Sequence, residues 1–155
     1  MRMDADEVRS TLNDLIETCK DGDEGFRNAA EKLKDSSIRS QFLQFAQQRA
    51  RFAGELQAEV TRMGGEPAKT GSTSGAMHRG WIGLKSAITG DNDHAILEEA
   101  ERGEDAAVKA YRDILAKQLP GDLQNIVSTQ LREIQVAHNA VKAMRDRGNT
   151  MVGKA

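Results

Sequence analysis

The chain has 155 residues, a length typical of one domain; hydrophobic residues make up 38% of it and aromatic residues only 4%. So few aromatics, together with only two prolines, favour helices over a β-sandwich or a β-barrel. The 22 lysines and arginines are interspersed among 24 acidic residues, and the net charge of −2 excludes the one-sided basic excess of a generic nucleic-acid binder.

Four long segments carry apolar or small residues at every third or fourth position. This spacing predicts amphipathic helices, each with a narrow apolar seam of the kind found in bundles. The predicted long helices lie at about 5–33, 36–63, 92–118 and 121–147. A shorter amphipathic stretch predicts an extra helix at 76–89, and residues 148–155 are predicted to form a frayed tail.

Residues that start and stop helices lie between these segments. Asp35 and the two serines after it can cap the second helix, and Gly64-Gly65 can end it. Asp91 or Asp93 can cap the third long helix, and Pro120 can occupy the first turn of the fourth.

The lengths of the connections predict the topology. Short links near Asp35 and Pro120 form two antiparallel hairpins, whereas a Gly/Ser/Thr-rich segment at 66–76 begins a long middle connection. A long connection lets the second hairpin return after crossing the bundle, as in ferritin-like folds. We therefore predict one domain, residues 1–147, that is all-α: a ferritin-like antiparallel four-helix bundle with the short helix in its crossover.

Polar residues interrupt the four seams near their shared midplane. The interrupting residues are Cys19, Arg49, Glu104 and His138, with Gln135 one turn before the histidine. Charged side chains are rarely buried unless they are paired. One interpretation is a buried network in which Arg49 pairs with Glu104, and His138 hydrogen-bonds to either of them or to Gln135. The other is a metal or redox site built on Glu104 and His138, with Cys19 assisting. The permanent charge of Arg49 favours the network.

The same residues resemble segments of rubrerythrins and bacterioferritins. Gly103-Glu104, followed by Tyr111, resembles their Gly-Glu…Tyr segment, and Gln135-Val-Ala-His138 resembles the E-x-x-H of the partnering helix. A closer resemblance is to a bacterial family of ferritin-like four-helix-bundle proteins of unknown function. The stretches that carry it start at Leu12, Arg51, His78 and Glu98 and read LNDLIET, RFAGELQAEV, HRGW and EEAERGED.

The resemblance implies the ferritin-like fold but little of its usual chemistry. A di-iron centre takes a Glu from each of two helices and a Glu-x-x-His from each of the other two. Those six places hold Cys19, Arg49, Phe52, Glu104, Gln135 and His138, of which only Glu104 and His138 match. We therefore expect no ordinary di-iron oxidase and no resident cofactor. Iron or another divalent metal bound by Glu104 and His138 is the alternative.

Two surfaces are candidates for binding. His78, Arg79 and Trp81 in the crossover form a possible partner surface, because arginine and large aromatics are favoured in interfaces, although Trp81 can also cover the bundle. If a face of the bundle binds metal at its surface, Glu101 and Glu24 are the acids to test.

These observations favour a non-enzymatic binding or structural module over a metalloprotein. We expect a homo-oligomer, with a dimer favoured, because Leu43 or Phe45 beside the second seam can supply an apolar strip. Nucleic acid is not favoured, even by analogy with DNA-protecting mini-ferritins, because the charge is near neutral. The sequence names no small-molecule ligand.

The expected location is cytoplasmic. Cys19 is the one cysteine, so no intramolecular disulfide is possible and a reducing compartment fits best. No run of 18 apolar residues occurs, and the first residues lack the apolar segment of a secretion signal. We therefore expect neither secretion nor insertion in a membrane.

Overall fold

The computed structural model describes residues 3–69, 81, 83–89 and 92–153, and this part of the chain is all-helical. The helices are α1 (Ala5–Lys32), α2 (Ser36–Arg62), α3 (Leu84–Thr89), α4 (Asp93–Leu115) and α5 (Asp122–Gly153). The predicted all-α four-helix bundle is confirmed. No helix in the described part of the chain combines the length and apolar content needed to cross a membrane.

The predicted short helix is described in part, and the last helix is longer than predicted. The short helix is described at Leu84–Thr89 and Trp81 is also helical, whereas residues 76–80 and 82 of the predicted span lie outside the described residues. Helix α5 continues to Gly153, so most of the tail predicted at 148–155 is helical. No proline follows Pro120, and the helix therefore meets no residue that removes a backbone donor.

Side-chain caps define the starts of α1, α2 and α4. The Asp4 carboxylate accepts a hydrogen bond from the backbone N–H of Glu7 at 2.8 Å, and Asp35 caps α2 as predicted. The cap of α4 is Asn92, whose side-chain oxygen accepts from the N–H of His94, and not Asp93; Asp91 lies outside the described residues. Each cap satisfies donors that the first turn leaves without an intrahelical partner.

The Asp93 side chain joins the start of α4 to the turn between α1 and α2, and this contact indicates the topology. Its carboxylate accepts hydrogen bonds from the backbone N–H groups of Lys34 and Asp35 at 2.9 and 3.0 Å. The start of α4 therefore lies where α1 ends and α2 begins. It follows that α4 runs antiparallel to α1 and parallel to α2, so the connection after α2 must cross the length of the bundle. The crossover that the sequence predicted is present.

The beginning of this crossover is fixed against the first hairpin. The Asn13 amide donates to the carbonyl of Glu66 at 3.1 Å and accepts from the N–H of Ala68 at 2.8 Å. Gln57 on α2 donates to the carbonyl of Ala68 at 2.8 Å. Residues 66–68 thus lie across α1 and α2 with their backbone polar groups satisfied.

The apolar core consists of two clusters separated along the bundle axis. One cluster lies between the earlier parts of α1 and α5 and the later parts of α2 and α4; the other lies beside the α1–α2 turn. The buried residues between the clusters include Gly22 on α1, Arg49 on α2, Glu104 on α4 and Ala137 on α5, and the buried Asp21 lies beside Gly22. Charged and small residues therefore share the midplane.

Candidate functional site

The midplane is occupied by a buried ion pair. Arg49 on α2 and Glu104 on α4 are 1% and 0% exposed, and two parallel hydrogen bonds join them: Nη1 to Oε1 and Nη2 to Oε2, both 2.6 Å. Burial acts to lower the pKa of the Arg49 guanidinium, but the adjacent Glu104 carboxylate outweighs it, so the pKa is raised. Bidentate geometry of this kind is the strong form of the charge-assisted hydrogen bond.

The other helices leave room for the arginine. A Cβ added at Gly22 on α1 would lie 3.1 Å from the Arg49 Nη1, closer than ordinary van der Waals contact. The guanidinium carbon lies 5.4 Å from the centroid of the Phe26 ring, and Nε donates to the Gln48 side chain at 3.2 Å. Arg49 thus has a partner for its Nε and for both terminal nitrogens, as a buried charge requires.

A second network of hydrogen-bonded side chains starts at Cys19 in the neighbouring core cluster. The Tyr111 hydroxyl donates to the Gln130 side-chain oxygen at 2.7 Å, which leaves the Cys19 thiol to donate to the Tyr111 oxygen across 3.0 Å. Gln130 then donates to the Glu55 carboxylate at 3.0 Å. Burial raises the pKa of the Cys19 thiol to about 11, outweighing the hydrogen bond with Tyr111 that lowers it. The thiol is therefore protonated and weakly nucleophilic at neutral pH.

His138 and Gln135 do not join the midplane network, which corrects the predicted constellation. His138 is partly exposed and its Nε2 lies 2.6 Å from the Asp105 Oδ1, on the outside of the bundle. His138 and Gln135 both line a groove on this surface. The residue of α5 that reaches the midplane is Ala137, which is buried while its neighbour His138 is turned outward.

The residues at the ligand positions do not fit a di-iron centre. Both carboxylate oxygens of Glu104 are engaged by Arg49, and His138 lies elsewhere. A divalent ion placed beside Glu104 would also face the permanent positive charge of Arg49 in a site shielded from solvent. The alternative metal site on Glu104 and His138 therefore does not assemble in this structure.

Trp81 is a core residue and not a partner surface. It is 5% exposed, and its ring lies 5.1 Å from that of Phe26 in an edge-to-face arrangement. A Cβ added at Gly25 on α1 or at Gly103 on α4 would approach the indole to 2.4 and 2.2 Å. The crossover thus inserts its tryptophan between two helices at positions where only glycine leaves space. His78 and Arg79 lie outside the described residues.

One cluster of potential metal ligands lies on the surface. Within the described residues Glu101, Asp105 and His138 each offer a ligand atom, and these three atoms lie within 4.8 Å of one another. Arg145 forms an ion pair with Glu101 beside them. Of the two acids singled out for testing, Glu101 belongs to this cluster, whereas Glu24 is exposed and not part of it.

The fold and the midplane define a class: an all-α four-helix bundle with a long crossover, closed at its centre by a buried arginine–glutamate pair. The model of the family described as Domain of unknown function (DUF2383) matches residues 7–117, and the chain belongs to this family. The matched segment contains both members of the ion pair and ends before α5. A search of curated proteins found no match to the chain.

Proposed function

We propose that the protein is a non-enzymatic binding or structural module, in which the place of a metal centre is taken by an ion pair. The observation that carries this proposal is the bidentate Arg49–Glu104 contact at full burial. It occupies the level at which four helices of a metal-binding bundle converge their ligands. Because both oxygens of the Glu104 carboxylate are held by Arg49, this carboxylate is free neither to bind a metal ion nor to act as a base.

We also infer that the bundle is related to ferritin-like proteins. Support comes from the direction of the helices, because α1 runs antiparallel to both α2 and α4 and the connection between α2 and α4 crosses the bundle. This is the one-crossover arrangement of ferritin-like folds. The cytoplasmic location belongs to the same proposal and is supported by the buried, unpaired Cys19.

An anaerobic titration with iron(II), followed by admission of air, tests the proposed absence of a central redox site. The expected result is no ultraviolet or visible absorption change that depends on Glu104. Iron oxidation that persists in Asp105→Asn, where the surface cluster is broken, and disappears when Glu104 and Arg49 are both replaced would overturn the proposal.

The module is proposed to self-associate, with a dimer favoured. Leu43 on α2 and Val136 on α5 are large apolar side chains that are 38% and 70% exposed. Phe45, the other candidate, packs against Phe26 and Phe42 and so contributes less to the surface. Sedimentation of the wild type against Leu43→Gln/Val136→Gln checks this: we expect a dimer that the double substitution weakens. A monomer at every concentration would contradict self-association.

A further inference from the structure

We propose that Glu101, Asp105 and His138 form a surface site for a divalent transition-metal ion of the zinc type. This site is separate from the buried ion pair. Glu101 and Asp105 are one turn apart on α4, which places both carboxylates on one helix face. His138 projects from α5 toward them and completes a set of two oxygen donors and one nitrogen donor.

The three donor atoms are close to the arrangement that a metal needs. Zinc binds carboxylate oxygen and histidine nitrogen at about 2.0–2.2 Å, so that ligand atoms around it lie about 3–3.5 Å apart. The separations here are at most 4.8 Å, and the His138 Nε2 lies 2.6 Å from the Asp105 Oδ1. A metal ion would replace the proton that these two atoms share, and small side-chain rotations would bring Glu101 to it.

The donor types select the class of ion. Imidazole nitrogen suits zinc, copper, iron and nickel, whereas magnesium and calcium prefer sites made of oxygen alone. No thiolate is available, because the only cysteine, Cys19, is buried in the core. Three protein ligands leave positions for water, as in zinc sites that are not purely structural.

Arg145 is the cation that now neutralises the cluster. It contacts the Glu101 Oε2, an atom that is shielded from solvent and accepts no hydrogen bond of good geometry in the structure. Arg145 is also held by Asp146, which accepts from its Nη2 at 2.9 Å. The arginine can therefore release Glu101 while keeping a partner. A metal ion and Arg145 compete for the same carboxylate.

Zinc titration by calorimetry, with cobalt(II) absorption as a second readout, tests the site on the full chain. We expect one zinc ion per chain. His138→Ala and Asp105→Asn should each weaken binding by at least about tenfold, since even groups that only orient a ligand are worth about 10–100-fold in affinity. Arg145→Gln should tighten binding, because it removes the competing cation.

His94→Ala is the matched control. His94 also faces a glutamate one turn away, with its Nε2 2.8 Å from Glu98 Oε1, but it is not part of the three-ligand cluster. We expect this variant to bind zinc like the wild type. Equal affinity in wild type and His138→Ala, or no binding by any variant, would overturn the site. Binding that depends on Glu104 and not on Asp105 would overturn both this inference and the proposed function.

Discussion

Replacing Glu104 by leucine tests whether the midplane is held by a buried ion pair. The substitution removes the carboxylate but leaves Arg49 at 1% exposure, with the two terminal nitrogens that donated to it lacking their acceptor. Removing one partner of a buried pair costs about 3–5 kcal/mol of the free energy of unfolding. An ordinary domain has about 5–15 kcal/mol in total, so Glu104→Leu is expected to leave the bundle marginally stable.

Replacing both partners should behave differently. Arg49→Met combined with Glu104→Leu substitutes apolar side chains of similar length for both charges, and such exchanges are commonly neutral or stabilising by about 1–4 kcal/mol. The double-mutant cycle therefore predicts a large favourable coupling between the two positions. Urea unfolding followed by circular dichroism, extrapolated linearly to water, measures all four free energies.

The exposed Lys109–Asp113 pair on the same helix supplies the control. Its atoms are 2.8 Å apart, but both side chains are mostly exposed. Asp113→Asn should leave the unfolding free energy within experimental error, because exposed ion pairs contribute little. A cost for Glu104→Leu below about 1 kcal/mol, the range of a surface pair, would refute the burial argument. A double variant as unstable as the sum of its singles would refute the coupling.

Three further predictions concern the packing of Trp81, the pH dependence of stability and the reactivity of Cys19. Gly103→Ala should lower the free energy of unfolding by about 1–3 kcal/mol, because its methyl group meets the buried Trp81 indole. Gly54→Ala on α2 is the control: nothing lies within 4 Å of its added Cβ, so it should raise the free energy of unfolding by about 0.5–1 kcal/mol. Urea midpoints of the two variants and the wild type measure both effects. Because burial raises the pKa of Cys19 from 9.0 to about 11, its contribution to stability is full below pH 9 and is lost as the pH rises toward 11; burial also raises the pKa of Tyr111, which acts in the same direction. The urea midpoint should therefore fall over this range, and Cys19→Ala should make the fall shallower. A thiol reagent should label Cys19 slowly in the folded protein and rapidly in urea, and equal rates would contradict its burial.

The helices and the ion pair could be predicted from sequence because each depends on local or general rules. Apolar spacing sets the helical segments, and a charged residue inside an apolar seam needs a partner of opposite charge. Arg49 and Glu104 interrupt their seams at the same height of the bundle. Their pairing was therefore one of the two open interpretations, and the structure contains it.

Apolar spacing alone does not predict which face of α5 points into the bundle. Leu131, Ile134 and His138 have helical spacing, but so do Gln130, Ile134 and Ala137, and the second set reaches further into the bundle. A polar residue such as Gln130 is not expected in a core until its partner is known. Here the partner is the Tyr111 hydroxyl, and the small Ala137 leaves room at the midplane.

The role of Trp81 could not be read from its own segment. Its amphipathic surroundings indicate an apolar contact but not with which helix. Gly25 and Gly103, which make the space for its indole, are far from it and from each other in the sequence. Gly103 lies in the segment that resembles rubrerythrins and bacterioferritins, and a glycine within a long amphipathic helix is itself a signal of close packing.

The most direct test of the central claim, that an ion pair replaces a metal at the bundle centre, is metal stoichiometry in the Arg49→Met/Glu104→Leu variant. This variant is expected to remain folded, so a change in metal content is not a consequence of unfolding. The account predicts that its zinc and iron content and its binding stoichiometry equal those of the wild type, and that any metal present is lost in Asp105→Asn. Metal that is bound by the wild type, absent from the folded double variant and retained in Asp105→Asn would contradict the account.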